Sequence, residues 1–443
     1  MRPLLCCLFF AFGTLSARAA TLPNILFILA DDLGWGDVGY HGSKIETPHL
    51  DRLVKEGVEL DQHYVYPVCT PTRVALLTGH YPSRYGNIQF ENERVLPWRA
   101  RTLATALKSV GYRTHLAGKW HLGSLPEWRP NLWGFDHTYG LLAGGAGYFE
   151  HLYKRKPYRK TWHRDGRLFE EEGHTTDLLA REVIRWIERE HDSPWFIYVP
   201  FTAVHAPIQP KQEWIDHYKD KFPKFEDRLY PALATHMDDA IGKIVEAVKK
   251  RGQWERTITV FASDNGAVPL SNVNRAYPGE QWACQGGNNA PLRGKKGTLY
   301  EGGIRTPAFV IWPDKLQPRK VTTPIHITDW MPTFCALAGL DPPGNLEWDG
   351  KDVWSALRGE RTGLAERTLY WKWTHGEAAL RHGDHKLVVD GSGDAELFNV
   401  AEDPHEEKDV AGTQPEVAEE LRALLREVAK GDDRWLPDAD AKP

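Results

Sequence analysis

The chain has 443 residues, of which 41% are apolar, and this length exceeds what one hydrophobic core usually supports. Its 55 Lys and Arg residues nearly balance its 60 Asp and Glu residues, which argues against a nucleic-acid or membrane-surface role that rests on bulk charge. We therefore expect a large globular domain with a smaller one, and any anion should be bound locally.

The first residues predict an export signal. Arg2 precedes an apolar stretch over Leu4–Leu15, and Ala17-Arg18-Ala19 is a small-residue cleavage site, which gives a signal peptide over residues 1–19. The apolar stretch is shorter than the ~20 residues of a spanning helix, so a membrane anchor is the less favoured alternative. We expect a secreted or periplasmic protein, and the lack of an Asn-x-Ser/Thr acceptor favours a bacterial setting.

Removal of the signal peptide leaves three cysteines, which are Cys69, Cys284 and Cys335. An odd number in an oxidising compartment means that at least one thiol stays unpaired. A disulfide between Cys284 and Cys335 is compatible with the sequence, which does not decide it.

Three continuous apolar runs have the pattern of strands that are buried on both faces of a parallel sheet. They cover Asn24–Ala30, Trp195–Val199 and Thr257–Ala262. Between them, helical patterns cover Thr102–Val110, Asp177–Arg189 and Leu229–Lys250. Strands that alternate with helices predict an α/β domain with a mostly parallel sheet, over residues 20–341.

After about Pro342 the pattern changes to short alternating stretches between turns rich in Gly and Asp. The predicted strands are Thr368–Trp373, His385–Val389 and Glu396–Val400. A helical pattern over Pro415–Lys430 follows. We predict a C-terminal subdomain over residues 342–443, with a small antiparallel sheet and one packed helix.

Oxygen-bearing side chains follow two of the predicted parallel strands. Asp31 and Asp32 come after the first strand, and Asp264 and Asn265 come after the third. Ligands of such sheets bind outside the carboxyl ends of the strands, and an all-oxygen set suits a hard cation such as Ca²⁺ or Mg²⁺. The alternative is turn chemistry, for which Asp and Asn are common after strands.

Cys69 precedes an apolar helical run, Val74–Leu77, so it lies near a predicted helix N-terminus, where backbone N–H groups favour anions. Arg73 would then lie one turn further along, beside residue 69. A single Cys is otherwise a small buried apolar residue, and that reading is the alternative.

The segment Cys69-Thr70-Pro71-Thr72-Arg73, with Leu76-Leu77-Thr78-Gly79 after it, resembles the signature of the sulfatase family, which oxidises this cysteine to Cα-formylglycine. Further segments resemble the family in the same order within about Pro23–Pro332. These are Asp31-Asp32 with Gly34, Gly118–Gly123, His205-Ala206-Pro207, Ser263–Gly266, Leu292–Lys296 and Glu301–Gly303. The sequence is most similar to the arylsulfatase B group, the N-acetylgalactosamine-4-sulfatases.

The resemblance implies an alkaline phosphatase-like fold, one calcium ion, a formylglycine-generating maturase as partner and a sulfated saccharide as substrate. The implied metal ligands are Asp31, Asp32, Asp264, Asn265 and the residue made from Cys69. A thiolate is a soft ligand that suits calcium poorly, whereas a hydrated aldehyde offers oxygens. One hydroxyl of the hydrate would attack the sulfate ester, the alcohol would leave, and loss of the second hydroxyl's proton would expel sulfate.

The resemblance also implies roles for the charged residues around the nucleophile. Calcium and Lys296 would neutralise the sulfate oxygens, and Arg73 and Lys119 would hold the diol. His121 and His205 would relay protons. Lys119 and His121 would face the same way if their stretch were extended.

Two other functions remain alternatives at this point. One is a phosphonate or phosphate ester hydrolase of the same superfamily. The other is a secreted carbohydrate-binding protein on a catalytically dead scaffold, although every metal and nucleophile position that we can match is retained. The sequence implies no nucleic-acid partner and no membrane span after signal cleavage, and it does not identify the sugar or the position of its sulfate.

Overall fold

The computed structural model describes residues 22–86, 92–96, 100–189, 193–268, 286–340, 347–360 and 363–434. The predicted signal peptide, Cys284 and the predicted domain boundary at 341/342 lie outside these residues, and the two predicted domain ranges stay a prediction. Cys335 is buried with a free thiol. Within the described ranges, none of the helices has the length and apolarity needed to span a membrane.

A sheet of ten strands forms the centre of the molecule, in the order β11-β2-β10-β9-β1-β8-β4-β5-β6-β7. Its strands in chain order are β1 (Asn24–Ala30), β2 (Val58–Leu60), β4 (Arg113–Lys119), β5 (His137–Leu141), β6 (Trp162–Arg164), β7 (Arg167–Leu168), β8 (Trp195–Pro200), β9 (Thr257–Ser263), β10 (Ala308–Ile311) and β11 (Arg319–Val321). The short strands β3 (His63–Tyr64) and β12 (Ile325–His326) pair with each other.

The five strands at the middle of this sheet, from β9 through β1, β8 and β4 to β5, run parallel. The predicted α/β architecture with a mostly parallel sheet is confirmed. All three predicted strands form, and two of them extend one residue beyond the predicted end. Antiparallel strands occur towards the edges, where β10 pairs with β9 and β6 pairs with β5.

Ten α-helices are described along the chain. They are α1 (Pro48–Glu56), α2 (Cys69–Thr78), α3 (Leu103–Lys108), α4 (Thr175–Glu188), α5 (Gln212–His217), α6 (Glu226–Lys250), α7 (Glu301–Ile304), α8 (Trp330–Leu337), α9 (Trp354–Leu357) and α10 (Pro415–Ala429). The predicted start at Thr102 is one residue early because Thr102 caps α3 and accepts a hydrogen bond from Thr105 N at 3.1 Å.

Strand β1 shows how the sheet separates two apolar cores. Its residues Ile25, Phe27 and Leu29 join the core that contains α2, α3 and α8. The alternating residues Leu26 and Ile28 join the core on the other face, which contains α1, α4 and α6. Successive side chains of a strand point to opposite faces, so a strand covered on both faces must be apolar throughout.

The C-terminal sheet is antiparallel and has four strands, which are β13 (Thr368–Lys372), β14 (Ala378–His382), β15 (His385–Val389) and β16 (Ala395–Asn399). Helix α10 packs on it through Leu421, which joins a small apolar cluster with Leu380 and Leu387. The predicted antiparallel sheet with one helix is confirmed, and β14 is an additional strand. The Trp371 indole N–H donates to Val65 O at 2.8 Å, which joins this sheet to the main body.

Candidate functional site

Strands β1 and β9 carry two pairs of oxygen-bearing residues to the same edge of the central sheet. Ala30 pairs with Ser263 in register, so the residues that follow each strand emerge side by side. Asp32 N donates to Asp264 Oδ1 at 3.2 Å, and Asn265 Nδ2 donates to Asp32 Oδ1 at 2.7 Å. Asp32 has a φ of 65°, in the left-handed region that Asp tolerates better than most residues. The sheet thus brings the four predicted metal ligands together.

Helix α2 brings Cys69 to these carboxylates. The helix begins at Cys69 and ends before Gly79, whose left-handed φ of 72° permits the C-cap. Cys69 is 1% exposed, and its sulfur lies within 4.8 Å of carboxylate oxygens of Asp31 and Asp264. The thiol therefore lies at a helix N-terminus and also within an oxygen cluster.

Three cationic side chains form ion pairs with the three carboxylates of the site. Lys119 Nζ lies 2.5 Å from Asp31 Oδ2, and Lys296 Nζ lies 2.5 Å from Asp32 Oδ1.

Arg73, one turn along α2, lies 2.7 Å from Asp264 Oδ2 and 3.6 Å from Asp31 Oδ2. It also donates to Lys119 O at 2.7 Å. Three negative and three positive groups thus balance, and Arg73, Lys119, Asp31 and Asp264 are fully buried. A divalent cation added to this set would leave positive charge for an anionic substrate.

Some oxygen acceptors in this cluster have no hydrogen-bond partner among the described residues. Asp31 Oδ1 and Asn265 Oδ1 are buried and have no hydrogen-bond partner in the described part of the chain. Buried acceptors are nearly always paired in folded proteins, so two that converge on one site indicate a group that binds there. Because the donor set consists of carboxylate and amide oxygens, the residues fit a hard cation of the calcium type.

Burial dominates the protonation of these groups. It raises the pKa of Asp31 above its ordinary value, and the charge of Asp32 adds to that rise. Burial also raises the pKa of Asp264 to about 6, with further rises from the charges of Asp31 and Asp32. Burial also acts to raise the pKa of Asp32, but Lys296 and His205 together hold that pKa below its ordinary value. Burial raises the pKa of the Cys69 thiol as well, which disfavours the thiolate that a cysteine nucleophile requires.

The two predicted proton-relay residues border the same cluster. His205 Nδ1 lies 2.5 Å from Ala206 O, and Nε2 lies 3.9 Å from Asp32 Oδ2, towards the carboxylates. Burial lowers the pKa of His205 to about 3, so the ring is neutral at pH 7. Nδ1 can then donate to Ala206 O, which leaves Nε2 able to accept a proton.

His121 reaches the site by a route that the sequence did not predict. Strand β4 ends at Lys119, and His121 has a left-handed φ of 55°, so the stretch is not extended throughout. The ring nitrogen Nδ1 lies 3.3 Å from Thr70 Oγ1, in the first turn of α2. Burial lowers the pKa of His121 well below its usual value, and Lys119 adds to the effect. Thr70 is a residue of this site to which we assigned no role from the sequence.

Lys154 is a further cation on whose pKa the charges of the site act, and it was missed from the sequence. It is half-buried, and burial lowers its pKa, with further lowering by the charges of Arg155, Lys296 and Lys119. The available signal was the run of cations over residues 154–156, within a chain whose overall charge is nearly balanced. Every residue that the sequence assigned to the site lies in this one cluster or against it.

Known proteins resemble the chain over most of its length. The family model described as Sulfatase matches residues 23–340. Arylsulfatase J of Mus musculus is 33% identical over 92% of this chain and 76% of its own length. N-acetylgalactosamine-6-sulfatase of Mus musculus is 32% identical over 85% of this chain and 74% of its own length. The crystal structure of Ps i-CgsB in complex with k-i-k-neocarrahexaose has a TM-score of 0.83 and 30% identity, and the match covers 94% of this chain and 95% of that one.

Proposed function

This chain belongs to the sulfatase family and is a sulfuric ester hydrolase, and from that premise we propose that it removes sulfate from a sulfated carbohydrate with a formylglycine made from Cys69 and one calcium ion. The observation that carries the proposal is the buried convergence of Asp31, Cys69 and Asp264 on one point, with two oxygen acceptors unfilled. The sulfatase resemblance of the sequence is confirmed, whereas the nucleophile, the ion and the sugar are the proposed parts.

Asp31, Asp32, Asp264 and Asn265 would hold the calcium ion, together with an oxygen of the modified residue 69. When bound, the ion would supply positive charge to the sulfate oxygens. Zinc and copper suit this site poorly because the four ligands that we propose are oxygen donors and the sulfur beside them belongs to a residue that we expect to be oxidised.

Hydrated formylglycine at residue 69 would supply an oxygen nucleophile. An unmodified thiol would be a poor nucleophile here because burial raises its pKa. The position suits this role because the first backbone N–H groups of α2 favour negative charge. Arg73 and Lys119 are held against Asp264 and Asp31, so their donors have fixed positions beside residue 69 before the substrate arrives. Such preorganised donors stabilise developing negative charge more effectively than mobile ones.

Lys296 lies at the more open side of the cluster, with 10% of its side chain exposed, where it can meet the sulfate group of an entering substrate. His205 lies beside it and is 16% exposed. We assign the proton transfer at the departing alcohol oxygen to His205 Nε2, and we assign His121, which is buried against Thr70, to the nucleophile side.

A carbohydrate substrate is supported by two of the similar proteins. One is an N-acetylgalactosamine-6-sulfatase, and the other, Ps i-CgsB, was crystallised with k-i-k-neocarrahexaose. We also keep as proposals the predicted export of the chain to a secreted or periplasmic location, a bacterial source and the maturase that would oxidise Cys69.

The test is production of the chain with and without a formylglycine-generating maturase. The matured chain should hydrolyse 4-nitrophenyl sulfate, and its peptide with Thr70–Arg73 should show the mass loss that accompanies conversion of Cys69 to the aldehyde. The chain made without maturase should fold and be nearly inactive. Faster hydrolysis of 4-nitrophenyl phosphate than of the sulfate would instead favour the phosphoesterase alternative, and no turnover of any sulfate ester would favour the binding-protein alternative.

An active chain with an unmodified Cys69 would overturn the nucleophile assignment. Screening of sulfated mono- and disaccharides for sulfate release would then identify the sugar and the sulfate position.

A further inference from the structure

One loop at the edge of the central sheet contacts both histidines of the candidate site. It follows β5 and covers residues 142–148, all of which are buried. Strand β4 lies between β5 and β8 in the sheet. His121 comes after β4 and His205 comes after β8, so a loop that runs from β5 across the neighbouring strand ends meets both residues. We call residues 142–148 the histidine loop.

The first half of the histidine loop packs on His121. His121 N donates to Leu142 O at 3.0 Å. Gly144 then lies against the imidazole, since a Cβ at Gly144 would stand 2.3 Å from His121 Nε2, 2.6 Å from Cε1 and 2.9 Å from Cδ2. Carbon atoms that are not bonded pack at about 3.5–4.0 Å. Glycine is therefore the residue that leaves room for the ring, which also contacts Thr70 Oγ1 at 3.3 Å.

Hydrogen bonds fix the backbone of this half of the loop. Ala143 N donates to Thr161 Oγ1 at 2.8 Å, and Gly144 N donates to Asn92 Oδ1 at 3.0 Å. A buried backbone N–H that is paired in this way loses its partner only at an energetic cost. A side chain at residue 144 should therefore displace the His121 ring and not the loop.

The second half of the histidine loop holds the turn that contains His205. Tyr148 OH donates to Thr202 O at 2.9 Å and lies 3.0 Å from His205 O. His205 N donates to the same Thr202 O at 2.9 Å, which closes the turn. Tyr148 O in turn accepts from Thr175 N at 2.8 Å, and Thr175 is the first residue of α4. Tyr148 thus connects the turn over residues 202–205 to a helix of the main body.

We propose that the histidine loop sets the positions of both proton-relay histidines. Gly144 does so by leaving room for the His121 ring, and Tyr148 does so by holding the backbone of His205. This proposal rests on the proposed function, because it assigns two positioning residues to the histidines of that reaction. A displacement of about 1 Å in a reacting group reduces turnover by about 10²-fold, so the loop should control kcat more than KM.

Kinetics of the matured chain with 4-nitrophenyl sulfate test the two positions. Gly144→Ala should lower kcat about 10²-fold, and Tyr148→Phe should lower it about tenfold, the effect of one lost hydrogen bond. Two controls match these changes. Tyr112→Phe removes a buried hydroxyl that donates to Pro23 O at 2.8 Å, and Gly412→Ala adds a methyl group where no described atom lies within 4 Å. Both controls should keep kcat within about twofold.

Double-mutant cycles distinguish positioning from a general structural effect. In a chain with His121→Ala, the new methyl group at residue 144 meets no imidazole, so Gly144→Ala should change the residual kcat by less than about twofold. In a chain with His205→Ala, Tyr148→Phe should likewise change it by less than about twofold. With the histidine present, Tyr148→Phe should follow His205→Ala in which of two substrates, phenyl sulfate or 4-nitrophenyl sulfate, loses more rate.

Crystal structures of the variants give a readout that needs no turnover. The His121 ring should move by about 1 Å in Gly144→Ala and stay in place in Gly412→Ala, because only the first change brings a carbon atom into the ring. The turn over residues 202–205 should shift in Tyr148→Phe and not in Tyr112→Phe.

The proposal is overturned if the His121 ring and the turn stay in place in the two loop variants, or if the losses of rate are as large without the histidines as with them. The cycle with Tyr148→Phe keeps the test valid if Gly144→Ala fails to fold. A failure of the proposed function would look different, because the matured parent would not hydrolyse 4-nitrophenyl sulfate. The crystal structures would then still decide whether the loop positions the histidines.

Discussion

Two buried clusters of charge, one at the candidate site and one beneath the C-terminal sheet, differ in how completely their oxygens are paired. In the second cluster, Lys386 Nζ lies 2.9 Å from Glu301 Oε1 and 2.8 Å from Glu406 Oε1. Glu301 Oε2 accepts from Tyr64 OH at 2.8 Å, and Glu406 Oε2 accepts from Glu301 N at 2.7 Å. Each carboxylate oxygen of this second cluster thus has a partner in the described chain.

The cluster at the site is also largely buried, but it leaves Asp31 Oδ1 and Asn265 Oδ1 without a hydrogen-bond partner among the described residues. A fully paired network stabilises one conformation, whereas an unpaired buried acceptor has an energetic cost unless a ligand binds it. The comparison therefore separates a cluster that serves the fold from one that is completed by a ligand. Four activity and stability experiments and one pH experiment test this separation.

The largest effect is expected from Cys69→Ala in the matured chain. Turnover should fall by about 10⁴ or more because the nucleophile is lost, while the melting temperature should change little because one small buried side chain replaces another. Thiol-blocking reagents should leave the matured parent active. Initial rates with 4-nitrophenyl sulfate and thermal unfolding give the two readouts, and activity of Cys69→Ala above background would contradict the assignment.

Removal of the metal should come next. Chelation should reduce activity to background, and calcium should restore it better than zinc, because the donors are oxygens. Asp264→Ala should mimic chelation, since it removes one of the proposed calcium ligands. It also leaves Arg73 and Asp32 N without the carboxylate that they contact. The rate after exhaustive dialysis against chelator, with and without each metal, checks this expectation, and full activity in a metal-free preparation would exclude a metal role.

Replacement of His205 by Ala should reduce turnover by about 10²–10⁴, the range for a general acid–base group. The loss should be larger for a sugar sulfate than for 4-nitrophenyl sulfate, whose leaving group needs little protonation. Rates of both substrates with the same enzyme preparation provide the comparison. Equal losses on the two substrates would remove His205 from the leaving-group side.

Lys386→Met tests the structural cluster and should act on stability alone. It leaves Glu301 and Glu406 buried without their shared cation, which should destabilise the fold by about 3–5 kcal/mol. The specific activity of the folded fraction with 4-nitrophenyl sulfate should be retained. Urea unfolding measures the first quantity, and loss of turnover without loss of stability would show that the two clusters are not separable in this way.

The smallest effect concerns pH and Glu406, whose pKa burial raises to about 7. In the unfolded chain the same carboxyl titrates near its ordinary value of 4.5. Between these two pKa values, the folded chain keeps a proton on Glu406 that the unfolded chain has lost. The contribution of Glu406 to the free energy of unfolding is therefore complete below about pH 4.5 and decreases as the pH rises to about 7. Urea unfolding at pH 5 and pH 8 should show a decrease of about 2 kcal/mol that Glu406→Gln removes.

Much of the site could be predicted because its residues follow local patterns. The strands β1 and β9 are buried throughout and mostly apolar, and they end directly before Asp31 and Asp264, so the sequence places these carboxylates at strand ends. The position of Cys69 at a helix start followed in the same way from the apolar run after it.

What could not be predicted depends on contacts between distant segments. Lys386 lies 85 residues from Glu301, and no spacing rule joins a residue of an antiparallel sheet to one that follows Lys296 by five residues. The effect of the Lys296 charge on the pKa of Lys154 likewise depends on how the segment with Tyr153 and Tyr158 is held by Asn92 and Glu93. The orientation of His121 could not be predicted either, because the left-handed φ that directs it towards Thr70 has no signature in its neighbours.

The Lys386 cluster also affects how the C-terminal part of this chain can be removed or exchanged. Glu301 begins helix α7, five residues after Lys296, and its cation and its second carboxylate neighbour both come from beyond residue 363. A chain truncated before the C-terminal sheet would lose Lys386, the cation at 2.9 Å from that buried glutamate, and would leave it with Arg305 at 3.5 Å. Exchange of the C-terminal sheet for that of another protein would therefore require a lysine and a glutamate at the positions of Lys386 and Glu406.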